Sequence, residues 1–277
     1  MMLKTIAAIL TEQQTSPAVL DTALALAAEH NAHVIGLHAE VVDAPPVMSP
    51  FDLPDSSVIT ALYDTAAKKR EEIEALFNRA VIGSTIDSSE WRSFRGSSGL
   101  TIDGLVESAR CVDMVVAPQP SSGGLGSLDD VLFEGARPIL FVPWIAKTYK
   151  PFRRVVIAWD GSREAARAVF DAIAILSKAE EVEILTVDPK ETRNQTPRFA
   201  GAEIAATLSR HGLKVALRTE ESAGRPITAV IENRCSDFGA DLLVMGAYSH
   251  PRLRERIFGG VTQGLLESMT VPVLMSR

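Results

Sequence analysis

The chain holds only two cysteines in 277 residues, Cys111 and Cys235, one in each half. Neither sits in a CxxC pair or a Cys/His cluster with zinc spacing, so they read as reduced structural thiols of a cytoplasmic protein. No apolar run reaches the roughly 18 residues that a membrane-spanning helix needs, because the stretch from Ala18 to Ala28 is interrupted by Asp21. The amino terminus carries only Lys4 ahead of an alternating apolar segment, with no long apolar core or small-residue cleavage site, so no secretory leader is expected. There is no block of Lys and Arg, and the formal net charge is -7. Binding to a nucleic-acid backbone needs a basic face, so no nucleic-acid partner is expected.

Catalytic signatures are missing as well. The sequence contains no GxxxxGK[ST] loop, no GxSxG elbow and no HExxH. Its five histidines, His30, His33, His38, His211 and His250, are scattered, and only His250 falls in a loop of functional interest. Asp160 is the one carboxylate at the end of a strand, too little to argue for hydrolysis. Neither enzyme activity nor a metal site is expected.

What is present is a repeat. The length favours two domains of about 100 to 200 residues each, and the halves end alike. Asp113-Met-Val-Val-Ala117 matches Asp241-Leu-Leu-Val-Met-Gly246, and Arg137-Pro-Ile-Leu-Phe-Val142 matches Val271-Pro-Val-Leu-Met275. These short, branched apolar runs have the pattern of strands buried on both faces of a parallel sheet. In the first half the pattern predicts strands at Thr5–Leu10, His33–His38, Ser88–Phe94, Met114–Ala117 and Ile139–Val142. Helices are predicted at 17–30, 58–79, 100–109 and 128–135. The proline-rich stretch from Val42 to Ser57, with Pro45, Pro46, Pro50 and Pro54, is predicted to be a loop.

In the second half, strands are predicted at Arg154–Trp159, Val182–Val187, Val215–Thr219, Leu242–Met245 and Pro272–Met275. Helices are predicted from Ser162 to about Ser177, and at 197–211, 226–238 and 261–268. In the first of these, Ala165, Ala168, Val169, Ala172, Ile173 and Leu176 form an apolar stripe. Arg163, Glu164, Arg167 and Asp171 take the opposite, exposed face. Alternating strands and helices imply parallel sheets with right-handed crossovers. The domain boundary belongs near 146–152, giving domains over 1–146 and 152–277.

A ligand of such a sheet sits beyond the carboxyl ends of the strands, where the strand order reverses. That brings Ala158, Asp160, Val187, Met245 and Gly246 around one crevice. The loop that follows, from Val244 to Thr262, is the most informative stretch of the chain. Gly246 is followed after two residues by Ser249, and after nine more by Gly259 and Gly260, which open a helix. Glycine allows close approach of a ligand to the backbone, a helix amino terminus attracts phosphate, and Arg252, Arg254 and Arg256 add positive charge.

This spacing resembles the nucleotide signature of the universal stress protein family, a Gly, two residues, a Gly, nine residues, then Gly with a small polar residue. Ser249 stands where the second Gly is expected, and Gly260 where the small polar residue is. Ala158-Trp159-Asp160-Gly161-Ser162 also resembles the opening of that family's domain, and the likeness extends over the chain as two copies. The resemblance implies two Rossmann-like α/β domains of the adenine nucleotide alpha hydrolase type, each a five-stranded parallel sheet flanked by helices. It implies a regulatory stress-response protein that holds ATP, with or without magnesium, in its second copy. Asp160 and the backbone near Val187 would contact adenine and Gly246 the ribose. Ser249, Gly259, Gly260 and Val261 would contact the phosphates, with Arg252 beside them. The first copy departs from the pattern, with Ala117-Pro118 where Gly246 lies and Thr11 where Asp160 lies, so its nucleotide site is expected to be lost. The run Gly123-Gly-Leu-Gly-Ser127 reads as a connector or an anion-binding turn. The resemblance further implies pairing of Ile139–Val142 with Val273–Met275 inside one chain, and a homodimer is compatible with it. The alternative reading is a nucleotide-free assembly protein in which both pockets are degenerate.

Overall fold

The computed structural model describes residues 2–42, 56–120, 127–189, 200–247 and 260–277. The chain divides into two compact units. One comprises Leu3–Pro118 with Ser127–Gly135, and the other Ala136–Arg277 with Met1–Met2 and Gln119–Gly126.

The amino-terminal unit runs β1 (Thr5–Ile9), α1 (Ser16–His30), β2 (His33–Val41), α2 (Ser56–Ile82), β3 (Ser89–Gly96), α3 (Ser98–Arg110), β4 (Met114–Pro118) and α4 (Ser127–Glu134). Its strands lie in the order β3-β2-β1-β4. Every one of these pairings is parallel. Ile6 to Ile9 and Met114 to Ala117 are buried, as runs covered on both faces must be. β2 continues three residues past its predicted end, because it keeps pairing with β3 as far as Val41 and Gly96. Ser56 and Ser57, read from the sequence as loop, begin the helix α2. The rest of the proline-rich stretch, 43–55, lies outside the described residues.

The carboxyl-terminal unit runs β5 (Ile139–Val142), β6 (Arg154–Ala158), α5 (Arg163–Asp171), α6 (Ile173–Leu176), β7 (Glu181–Val187), α7 (Ala202–Arg210), β8 (Val215–Glu220), α8 (Ile227–Phe238), β9 (Leu242–Gly246), α9 (Gly260–Ser268) and β10 (Val273–Ser276). The strand order is β5-β10-β9-β6-β7-β8. β8-β7-β6-β9-β10 is an all-parallel, doubly wound sheet. β5 joins it antiparallel, with Phe141 opposite Val273, Leu140 opposite Leu274 and Ile139 opposite Met275. This is the pairing of last strands expected from the sequence. It groups β5 with the carboxyl-terminal unit, whereas the boundary read from the sequence falls between β5 and β6.

The helix predicted from Ser162 to Ser177 is divided at Ala172 into α5 and α6. Its hydrogen bonds continue through the joint, from Ala172 N–H to Ala168 O and Leu176 N–H to Ala172 O, with a tighter Ile175 N–H to Ala172 O bond. α7 starts at Ala202, later than predicted, because Gly201 holds φ 82°, outside the helical region. Residues 197–199 of that predicted helix lie outside the described residues. No helix among the described residues is long and apolar enough to cross a membrane.

Candidate functional site

In the carboxyl-terminal unit the crossover from β6 through α5 to β7 runs one way along the sheet, and that from β9 through α9 to β10 runs the other. Right-handed crossovers then put α5 and α9 on opposite faces, and the strand order reverses between β6 and β9. α5 and α9 both follow the carboxyl ends of those strands, where a sheet of this topology takes a ligand, and their first turns would be the two lips of that site.

Asp160 follows β6 directly. Its Oδ1 accepts the Ser162 N–H at 2.9 Å, closing an Asx turn through Gly161, which holds φ 77°. Ser162 then caps α5, its Oγ accepting the Ala165 N–H at 3.1 Å. Asp160 is exposed, and Ala158 and Val187 are half-buried. Next to Val187, Asp188 holds φ 44°. Its Oδ1 accepts the Ser222 N–H at 2.9 Å, and its hydrogen bonding with Ser222 lowers the carboxyl pKa. No sequence signal marked Asp188 beyond the tolerance of Asp for that backbone region.

Met245 is buried, in register with Ala158 on β6 and Met275 on β10. Gly246 ends β9, and the fold supplies a reason for its glycine besides the one read from the sequence. A Cβ there would lie 2.4 Å from Ala165 N and 2.9 Å from Glu164 Cβ, so Gly246 lets the first turn of α5 close onto the strand. The same packing corrects the place of Glu164. Helical periodicity puts it on the exposed face, yet it is only 4% exposed because it lies against Gly246. Its Oε1 accepts the Arg163 Nε–H at 2.5 Å, and that bond raises the arginine's pKa.

On the opposite lip, Gly260 is the first residue of α9 and a Cβ on it would meet nothing within 4 Å. Val261 is half-buried behind it. α9 is held close to α8 at Gly264, where a Cβ would lie 2.9 Å from Thr228 Cγ2. At its other end, Gln119 Nε2–H donates to Leu266 O at 2.8 Å, capping the last turn. The structure therefore brings Ala158, Asp160, Val187, Met245, Gly246, Gly260 and Val261 to the ends of adjacent elements. Ser249, Arg252, Gly259 and His250 lie outside the described residues.

The corresponding positions of the amino-terminal unit differ. Strand register matches Pro118 to Gly246 and Thr11 to Asp160. On β2 of that unit, His38 and Glu40 carry side-chain contacts of their own. His38 Nδ1–H donates to Leu10 O at 2.6 Å, and the His38 ring stacks on Trp91. The carboxylate of Glu40, 1% exposed, accepts from Arg95 Nε at 2.6 Å and faces Arg70 Nε at 3.7 Å. Helix α1 begins at Thr15 without a side-chain cap, unlike α5.

Of the two free cysteines, Cys111 is exposed and Cys235 buried. Cys235 is buried and burial pushes its thiol pKa up to about 12, so it stays a neutral thiol. Among the described residues no group of three or more His, Cys, Asp or Glu side chains is arranged to hold a metal ion.

The sequence model of the universal stress protein family matches residues 151–277. Residues 151–277 form a universal stress protein domain. The domain so defined contains β6 to β10 and every site residue described above. Among curated proteins the chain is similar to the universal stress protein Slr1230 of Synechocystis, 26% identical over 159 residues. That match covers 57% of this chain and 53% of the relative, so it spans about half the relative's length. Among solved structures, a universal stress protein from Archaeoglobus fulgidus superposes with a TM-score of 0.71 at 16% identity, covering 98% of each chain. A putative universal stress protein from Pseudomonas aeruginosa does so with a TM-score of 0.57 at 15% identity, covering 99% of this chain and 93% of that one. At such identities the structural likenesses establish the fold. The amino-terminal unit shares in it, since both structures cover the whole chain.

Proposed function

We propose that the universal stress protein domain binds an adenine nucleotide, ATP with or without magnesium, in the crevice between the ends of β6 and β9, and that the protein works in the cytoplasm as a stress-response regulator. The observation that carries this reading is the pair of helices that start at the strand-order reversal. The Asp160 turn and capped α5 stand on one lip, and the glycine-started α9, with open space at Gly260, stands on the other. The uncommitted N–H groups of a helix's first turn and its positive end suit a phosphate chain. Asp160, exposed beside half-buried Ala158 and Val187, suits a base or ribose edge. Ser249, Gly259 and Arg252 complete the site in this reading.

In this reading the protein acts by binding and release, without turnover. In this reading the amino-terminal unit has no matching site, because Pro118 stands at the position of Gly246 and Thr11 at that of Asp160. Calorimetric titration of the full chain with ATP tests the reading. Binding near one nucleotide per chain is expected, and no binding at millimolar ATP would exclude it.

A further inference from the structure

Arg163 and Glu164 are neighbours on one helix, and neighbours in sequence project about 100° apart, so they do not ordinarily meet. Here the guanidinium Nε lies 2.5 Å from the Glu164 carboxylate, which requires the Arg163 side chain to fold across the first turn of α5. The direction of that fold is set by Glu164. Its side chain is 5% exposed and sits against Gly246, on the crevice side of the helix, while the Arg163 side chain remains 83% exposed. A buried carboxylate is costly unless paired and hydrogen-bonded, and Glu164 is paired with a guanidinium that stays in water. The apolar stripe of α5 explains Ala165, Ala168 and Val169, but it does not explain this acid.

We propose that Arg163 is a phosphate-contacting residue of the nucleotide site and that Glu164 is the residue that positions it. This deepens, and rests on, the reading of the crevice as a nucleotide site. Glu164 engages Nε, which leaves the two terminal amino groups of this 83% exposed side chain for a ligand at the start of α5. A planar guanidinium held at one edge is suited to grip phosphate oxygens with the other. The ligand class that follows is an adenine nucleotide carrying at least one phosphate, in preference to the nucleoside. Phosphates are then gripped from both lips, by the α9 amino terminus and by Arg163.

The test compares ATP, AMP and adenosine binding, by calorimetry, to the full chain and to Arg163→Ala, Arg163→Lys and Glu164→Gln. Arg163→Ala should weaken ATP and AMP about tenfold, about 1.4 kcal/mol, and leave adenosine unchanged. Arg163→Lys should recover part of that loss. Glu164→Gln should lower the ATP-to-adenosine affinity ratio, and combined with Arg163→Ala it should add nothing further. Far-UV circular dichroism separates these effects from misfolding, which would lower adenosine binding too. An unchanged ATP-to-adenosine ratio in Arg163→Ala overturns this inference while leaving the nucleotide site standing. If the unaltered chain binds none of the three compounds, the site reading fails first and this inference falls with it.

Discussion

Asp113 and Asp241 hold the same post in the two halves of the chain. Asp113 Oδ2 accepts the N–H groups of Lys4 and Thr5 at 2.6 and 2.9 Å, where β1 begins. Asp241 Oδ2 accepts those of Arg153 and Arg154 at 3.2 and 3.1 Å, where β6 begins. Each aspartate precedes the strand next to the one it anchors, so it ties the starts of two adjacent parallel strands together. Removing either carboxylate takes an acceptor from two backbone donors, of which Arg153 N–H also donates to Pro151 O. Asp241→Ala and Asp113→Ala should each lower stability by about 1–2 kcal/mol in urea unfolding. An effect at one position and none at the other would mean that the two posts are not equivalent.

That equivalence was legible as the repeated Asp ahead of an apolar run, and so were the central strands, because strands buried on both faces leave little besides Val, Ile, Leu and Ala, whereas the edge strands β3 and β8 are largely polar and partly exposed. The capping of α5 by Ser162 was legible too, from a hydroxyl residue ahead of a helical stripe. The burial of Glu164 was not. Helical periodicity describes how a helix lies along a sheet, but Glu164 is covered by the end of β9, a contact that depends on the missing side chain of Gly246. The glycine itself was found, for a different reason than the one the fold supplies. The contacts of His38 with Leu10 and Trp91, and of Glu40 with Arg95, were not legible, because they depend on residues brought together from β1, β2 and β3.

Gly246 and Gly260 should separate structure from binding. A methyl at Gly246 would collide with the backbone of α5, so Gly246→Ala should cost about 1–3 kcal/mol of stability. A side chain at Gly260 points into open space, so Gly260→Val should change stability by under about 1 kcal/mol while weakening ATP binding at least tenfold. Urea unfolding and ATP titration of the two variants check this. A stable Gly246→Ala protein would contradict the packing described here.

His38 should make the amino-terminal unit sensitive to acid. Burial lowers its pKa below the ordinary 6.5, outweighing the hydrogen bond to Leu10, which raises it. Lys69 and Arg70 lower it further, and Glu40 opposes them. With the folded pKa below the unfolded one, the unfolded chain binds more protons across that interval. The stabilising contribution is therefore complete above about pH 6.5 and is lost as pH falls through the lowered value. His38→Asn keeps a donor for Leu10 O and cannot titrate, so it should flatten this part of the pH dependence. Thermal unfolding between pH 7.5 and 5, compared between the two proteins, measures it. Identical slopes would place the acid sensitivity elsewhere.

The central claim is that one half of the chain holds a nucleotide and the other does not, and calorimetric titration of the full chain with ATP tests it most directly. The prediction is a single class of sites, near one per chain, lost in Gly260→Val and kept when Thr11, at the amino-terminal counterpart of Asp160, is changed to Ala. Two equivalent sites per chain, or no binding at millimolar ATP, would contradict it.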